Sequence, residues 1–270
     1  MSSVSGASIV DRQLEGRTVI VTGAGRGIGR AIALRCAAEG AALALAGRSV
    51  NELEDVARQI RVSGGTAMVV TTDVRDHRST DAMAARVEAE HGRVDVLIAN
   101  SGVGGPTAPL WEVSLEDWEE TYAVNVRGTF LCCRAVLSGM VRRGSGGIVV
   151  IGSMSGKRPM ANRAPYTSSK TALIGLVRTL AMEAGPRGVR VNLVSPGPVA
   201  GPRLERMLEA NGRLTGRPVE ELREGFVGKA PLRRLVEAED VAAAVVFLAG
   251  DESRGITGED LNVSAGITMY

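Results

Sequence analysis

Thr18-Val-Ile-Val-Thr22 runs straight into Gly23-Ala-Gly-Arg-Gly-Ile-Gly29, and these two stretches decide the fold. A short β-branched run bounded by glycine reads as a buried strand. The apolar spacing over Gly27–Glu39 then reads as a helix. A glycine-rich turn between strand and helix is the setting a phosphate-binding loop requires. Gly23 permits the tight turn, Gly27 lets a pyrophosphate approach the backbone beside Ile28, and Gly29 allows helix and strand to pack closely. The helix N-terminus adds unpaired N–H groups and the positive end of its dipole. A dinucleotide is expected to lie across this loop.

Working outward, short aliphatic runs alternate with longer amphipathic ones. Further strands are expected at Ala42–Ala46, Ala67–Thr71, Val94–Ala99, Gly147–Gly152, Arg190–Ser195 and Asp260–Val263. Helices are expected at Val50–Arg61, Asp76–His91, Asp117–Arg142, Tyr166–Gly185 and Ala238–Ala249. Strict alternation implies right-handed crossovers and a parallel sheet covered on both faces. The predicted class is α/β: a Rossmann-type doubly wound, seven-stranded parallel sheet of order 3-2-1-4-5-6-7, with ligands beyond the carboxyl ends of the strands. Residues 16–270 form one domain after a flexible tail over 1–15. An insertion over about 198–230 breaks the rhythm; helical fragments at Arg203–Ala210 and Pro218–Phe226 suit a flap over a pocket.

Composition narrows the function. Lys+Arg 32 against Asp+Glu 30 is nearly balanced, so neither nucleic acid nor a membrane surface is an expected partner. Cys36, Cys132 and Cys133 fall in helical or apolar stretches and read as core residues of a reducing compartment. His77 and His91 are the only histidines, and no spacing resembles a zinc site, so no metal is expected. The first residues lack a basic and an apolar segment, and the longest apolar run, Val241–Gly250, is too short to span a bilayer. A cytoplasmic protein is expected.

The end of the second strand bears on the cofactor. An acid there commonly binds a ribose 2′-hydroxyl. Here Ala44-Leu-Ala-Gly47 ends without a carboxylate, Arg48-Ser49 follow, and Arg26 stands in the glycine loop. Two guanidinium groups suit a 2′-phosphate. NADP(H) is therefore favoured, with NAD(H) possible.

Tyr166 and Lys170 stand one helical turn apart, and Ser153 lies upstream. A tyrosine is a poor base in water because its pKa is roughly 10. A lysine four residues on shares its helix face and favours the phenolate. Lowering the pKa by about three units takes roughly 4 kcal/mol, which Lys170 and a positive nicotinamide can supply together. Ser153 would hold the substrate oxygen while Tyr166 exchanges its proton.

The set Thr22–Gly29, Asp73-Val74, Asn100-Ser-Gly102, Asn125, Ser153, Tyr166–Lys170 and Pro196-Gly197 resembles the short-chain dehydrogenase/reductase family, from about Gly16 to the C-terminus. The resemblance implies that Asp73 and Val74 contact the adenine, and that Asn100 and Gly102 border the cofactor ribose. It implies that Asn125 bends its helix and holds a water near Lys170, completing a proton relay through Tyr166. Pro196-Gly197 would set backbone against the nicotinamide, and Val199 would bond its carboxamide. A homotetramer, or else a dimer, is also implied. Two departures stand out: Ser101 where Ala is frequent, and Gly201 where Thr is common.

The expected activity is interconversion of a secondary alcohol and a ketone, with 3-oxoacyl, sugar, steroid and other carbonyl substrates open. Met154, Met160, Trp111 and Phe226 are candidates for an apolar pocket wall. Arg203, Arg206, Arg213, Arg217 and Arg223 raise an anionic or acyl-carrier substrate docking at the flap. The alternative is a non-catalytic nucleotide-binding regulator or scaffold on the same fold. A Rossmann-like methyltransferase leaves the Ser, Tyr and Lys unexplained.

Overall fold

Alternate residues of the first strand serve opposite layers: Val19 and Val21 pack into one apolar cluster and Ile20 into the other. That division, repeated strand by strand, builds the molecule. The computed structural model describes residues 12–270. In chain order it runs β1 (Thr18–Thr22), α1 (Gly27–Ala38), β2 (Ala42–Gly47), α2 (Val50–Val62), β3 (Thr66–Thr71), α3 (His77–His91) and β4 (Val96–Ala99). Then follow α4 (Leu115–Tyr122), α5 (Gly128–Arg143), β5 (Gly146–Ile151), α6 (Ala164–Ala184), β6 (Val189–Pro196), α7 (Pro202–Thr215), α8 (Val219–Lys229), α9 (Ala238–Ala249) and β7 (Asp260–Val263).

The strands form one seven-stranded sheet in the order β3-β2-β1-β4-β5-β6-β7, and every pairing is parallel. β1 and β4 are buried throughout, as a sheet covered on both faces requires. On one face Ile32, Leu53, Ile60 and Val245 join Val19 and Val21, so α1, α2 and α9 cover it. On the other, Met83, Val136, Met140 and Leu173 join Ile20, so α3, α5 and α6 cover that. The three cysteines are buried and unpaired, as expected of small core residues. Burial pushes the thiols of Cys36 and Cys133 up to about 12.

Two sequence expectations need correction. The helix expected over Asp117–Arg142 starts at Leu115 and is divided, with a π-helical turn over Ala123–Arg127 between α4 and α5. The backbone stays helical, but the Gly128 N–H reaches back to the Ala123 carbonyl, five residues earlier. The tail, expected over 1–15, ends sooner: Leu14 is fully buried in the core, and its N–H bonds the Glu39 carbonyl. Residues 1–11 lie outside the described residues. The insertion holds two helices, α7 and α8, longer than the expected fragments. Val199 pairs in parallel with Val236 at its base. No helix among the described residues is long and apolar enough to cross a membrane.

Candidate active site

The site residues singled out from sequence gather at the carboxyl ends of β1 to β6 and on α6 and the helical turn holding Asn125. Asn100 locks two of those ends together. Its Nδ2 donates to the carbonyls of Thr22 (2.8 Å) and Gly23 (3.2 Å), while Thr22 Oγ1 accepts the N–H groups of Asn100 and Ser101, both at 3.0 Å. Gly29 is packed beneath this knot. A Cβ there would stand 2.1 Å from the Gly23 carbonyl oxygen and 2.5 Å from Asn100 Nδ2. Gly27 is different: its φ is +54° and a Cβ would meet nothing within 4 Å, so the loop's outer side is open. Arg26 precedes α1 in extended backbone without capping it, leaving the first N–H groups without a side-chain partner. Ile28 packs against the core beside them.

Arg48 and Ser49 are exposed at the end of β2, and Ser49 spends no hydroxyl on capping α2. Arg26 lies 3.7 Å from Glu52, an exposed pairing. Asp73 is held by Arg75, whose Nη2 lies 2.6 Å from its carboxylate and whose Nη1 bonds Glu120. This fork of hydrogen bonds holds the Asp73 carboxyl below the usual carboxylate range. Val74 is buried, its side chain filling the space where a Cβ on Gly128 would stand 2.8 Å away. The side chains of both residues are thus engaged within the protein, and the Asp73 backbone is held too, its N–H donating to Ser79 Oγ at 3.0 Å and its carbonyl accepting the Asp76 N–H at 3.1 Å.

Ser153 leaves β5 in extended conformation, and its Oγ accepts the Ser155 N–H at 3.1 Å. The loop that follows is tied down across the sheet. Lys157 Nζ donates to Asn262 Oδ1 (2.8 Å) and lies 3.0 Å from the Asp260 carboxylate, both charges nearly buried. Pro165 in the first turn of α6 pre-sets the helical backbone just before Tyr166. Lys170 is buried one turn later, its Nζ donating to the Ile151 carbonyl at 2.7 Å. A Cβ on Gly102 would lie 3.6 Å from that Nζ and 3.2 Å from Asn125 Oδ1, so these groups are neighbours.

Asn125 sits in the π turn, fully buried. Its amide exchanges bonds with the Val103 backbone (2.8 and 3.1 Å) and donates to Ser169 Oγ at 2.9 Å. One side chain thereby joins the widened helix, the loop after β4 and α6. Asn in a helix interior is unfavourable, and this bonding explains its presence.

The electrostatics follow from burial and crowding. Burial raises the Tyr166 phenol, but Arg203, Lys170, a hydrogen bond with Ser153 and Arg163 outweigh it, so its pKa falls below the ordinary tyrosine value. Burial, opposed by Tyr166 and aided by Arg203, brings the Lys170 ammonium down to about 8. Two of these contributors went unread in the sequence as neighbours of the tyrosine. Arg163 stacks on the Tyr166 ring at 4.9 Å and Arg203 at 5.7 Å. The only signal for Arg163 was its place three residues before the tyrosine.

Pro196 ends β6, and Gly197 passes so close to β7 that a Cβ would stand 2.8 Å from Ser264 Cα. At the adjoining bridge the Ala200 N–H and the Pro198 carbonyl bond Val236, so Val199's own N–H and carbonyl face away from that pairing. The expected apolar wall is split. Trp111 and Met160 line a cleft of about 790 Å3 with Pro109, Leu110 and Ala164. Met154 and Phe226 instead pack with Ala230 and Ile267 under the flap.

Comparison with known proteins agrees with this architecture. Residues 23–268 match the family model described as enoyl-(acyl carrier protein) reductase. D-threitol dehydrogenase of Mycolicibacterium smegmatis is 36% identical over 259 residues, covering 96% of this chain and 95% of its own. The structure of NAD+-bound xylitol dehydrogenase superposes with a TM-score of 0.92 at 32% identity, over 94% of this chain and 100% of that one. Actinorhodin polyketide ketoreductase with NADPH gives a TM-score of 0.90 at 33% identity, over 94% and 98% of the two chains. This chain belongs to the short-chain dehydrogenase/reductase family.

Proposed function

We propose that the protein interconverts a secondary alcohol and a ketone by hydride transfer, with Tyr166 as general acid and base and NADP(H) as the preferred cofactor. The observation that carries this reading is the phenol of Tyr166 held below its ordinary pKa beside a buried Lys170 and Ser153. A purely nucleotide-binding protein has no use for such a phenol.

The residues fit a dinucleotide. The outer side of Gly27 is open, the α1 N-terminus presents unpaired N–H groups, and Gly102 brings bare backbone beside Lys170. Gly23, Gly27, Ile28 and Gly29 would hold the pyrophosphate. Arg26, Arg48 and Ser49 would hold a 2′-phosphate, and β2 itself ends without a carboxylate. Asp73 and Val74 would border the adenine, Asn100 and Gly102 the ribose, and Pro196, Gly197 and Val199 the nicotinamide. Bound there, the nicotinamide supplies or accepts the hydride.

In reduction Tyr166 donates its proton to the carbonyl oxygen while Ser153 stabilises the charge gathering there. In oxidation the tyrosinate removes the hydroxyl proton. Lys170 favours the tyrosinate, and Asn125 positions it by fixing α6 against the loop after β4. Exposed Phe130 on α5 and Met182 on α6 supply apolar surface for a homotetramer or dimer.

The test is cofactor absorbance with purified protein, offering NADPH and NADH against sugar, steroid, 3-oxoacyl and simple cyclic ketones. Turnover favouring NADPH supports the reading. Turnover favouring NADH keeps the chemistry and overturns the roles given to Arg26 and Arg48. Tight cofactor binding with every carbonyl inert favours the regulator.

A further inference from the structure

Two arginines from different elements meet at the ring of Tyr166. Arg163 comes from the turn before α6, where Asn162 takes a left-handed conformation (φ +62°) and folds the chain back over the helix it is about to start. Arg203 comes from the first turn of α7, on the flap. Their guanidinium carbons lie 4.9 and 5.7 Å from the same ring centroid. A Cβ on Gly104 would stand 3.4 Å from Arg163 Nη2 and 4.0 Å from Arg203 Nε, so both groups also converge on one stretch of backbone.

Neither arginine has a carboxylate partner among the described residues. Arg163 is only 7% exposed, and its Nη1 donates to Thr107 Oγ1 (2.9 Å) and the Pro106 carbonyl (3.3 Å). Arg203 Nη1 reaches the Gly102 carbonyl at 3.4 Å. Elsewhere on the flap Arg217 pairs with Glu221, and Arg223 with Glu205 and Glu220, while the exposed Arg206 and Arg213, also without a carboxylate among the described residues, do not meet the Tyr166 ring. A buried guanidinium with only neutral acceptors, next to a second cation, is costly to maintain. Arg203 indeed lowers the pKa of Arg163, on top of the lowering by burial.

The geometry points to a site for an anionic headgroup (carboxylate, sulfonate or phosphate) that the substrate carries a short way from its reacting carbonyl, held between Arg163 and Arg203. Arginine's planar fork suits such a group, and the α7 N-terminus adds its positive end. The flap would then be held down by a charge, with Arg203 in the place it already takes over the reacting tyrosine. This rests on the carbonyl-reduction reading of Tyr166. A phosphate of the cofactor offers the same charge, so the experiment separates the two sources.

The probes are 4-oxopentanoate and its uncharged counterpart 2-hexanone, offered with NADPH and NADH to wild-type and Arg203→Met protein. Arg203 is exposed, so the variant is expected to fold. The expected result is a preference for the keto acid of about 10- to 100-fold in kcat/KM, largely lost in Arg203→Met with the cofactor KM unchanged. Equal use of both ketones by the wild type overturns the inference while leaving the reductase reading intact. A loss confined to the cofactor KM assigns the anion to the cofactor and also overturns it. Calorimetric titration of both probes into Tyr166→Phe protein saturated with oxidised cofactor reads the same preference without turnover. Keto-acid binding that weakens about tenfold when Arg203→Met is added supports the anion site even where reduction fails. No detectable keto-acid binding overturns it.

Discussion

The glycine loop and the flap are both rich in glycine, and their glycines do opposite things. At Gly29 the missing side chain makes room for backbone and for Asn100, with the nearest atom 2.1 Å from a built Cβ. At Gly225 and Gly228, inside α8, a Cβ would meet nothing within 4 Å. The two regions are also held differently. The loop is tied to β4 through Thr22 and Asn100 by buried and half-buried hydrogen bonds. α8 buries no residue, α7 buries only Leu204 and Leu208, and a half-buried ion pair between Arg223 of α8 and Glu205 of α7 joins the two helices. A cradle built from backbone admits one shape; a flap built from surface charge can be rewritten more freely, except at Arg203, which acts on Tyr166.

Gly29→Ala should break this contrast most severely. Overpacking typically costs about 1–3 kcal/mol, and here the clash is with backbone, so urea denaturation should show at least that loss together with lost cofactor binding. A variant as stable as wild type would mean the loop is softer than its contacts imply. Lys170→Met tests the electrostatics. Oxidation needs the tyrosinate, so its rate should rise with pH as Tyr166 deprotonates; removing the lysine should move that limb to higher pH. An unmoved limb would assign the lowering to the arginines and Ser153. Arg48→Ala should reduce the NADP(H)-over-NAD(H) ratio of kcat/KM by about tenfold, roughly 1.4 kcal/mol. Smallest, and opposite in sign to the first, Gly225→Ala should stabilise the protein by about 0.5–1 kcal/mol in thermal or urea unfolding.

Legibility divides along the same line. All seven strands and their order were readable because apolar runs alternating with amphipathic ones admit few parallel arrangements. The cradle was readable because its requirements fall on consecutive residues. The division of the helix at Ala123–Arg127 was not, since a π turn leaves no composition signal beyond an ill-placed Asn125. The clamp of Arg75 on Asp73 needed Glu120, brought from α4 by the fold. The flap's five arginines looked alike in sequence; glutamates engage Arg217 and Arg223, and the place of Arg203 over the Tyr166 ring sets it apart from Arg206 and Arg213. Leu14 was assigned to the tail because Arg12, Gln13, Glu15 and Arg17 surround it, and its backbone bonds Glu39, a partner distant in sequence.

The most direct test of the central claim compares wild-type and Tyr166→Phe protein with NADPH and a ketone the wild type reduces, alongside calorimetric titration of the cofactor. The account predicts a loss of about 10²–10⁴-fold in kcat with the cofactor affinity essentially retained. A variant that keeps near-wild-type turnover would contradict the assignment of Tyr166 as the proton donor.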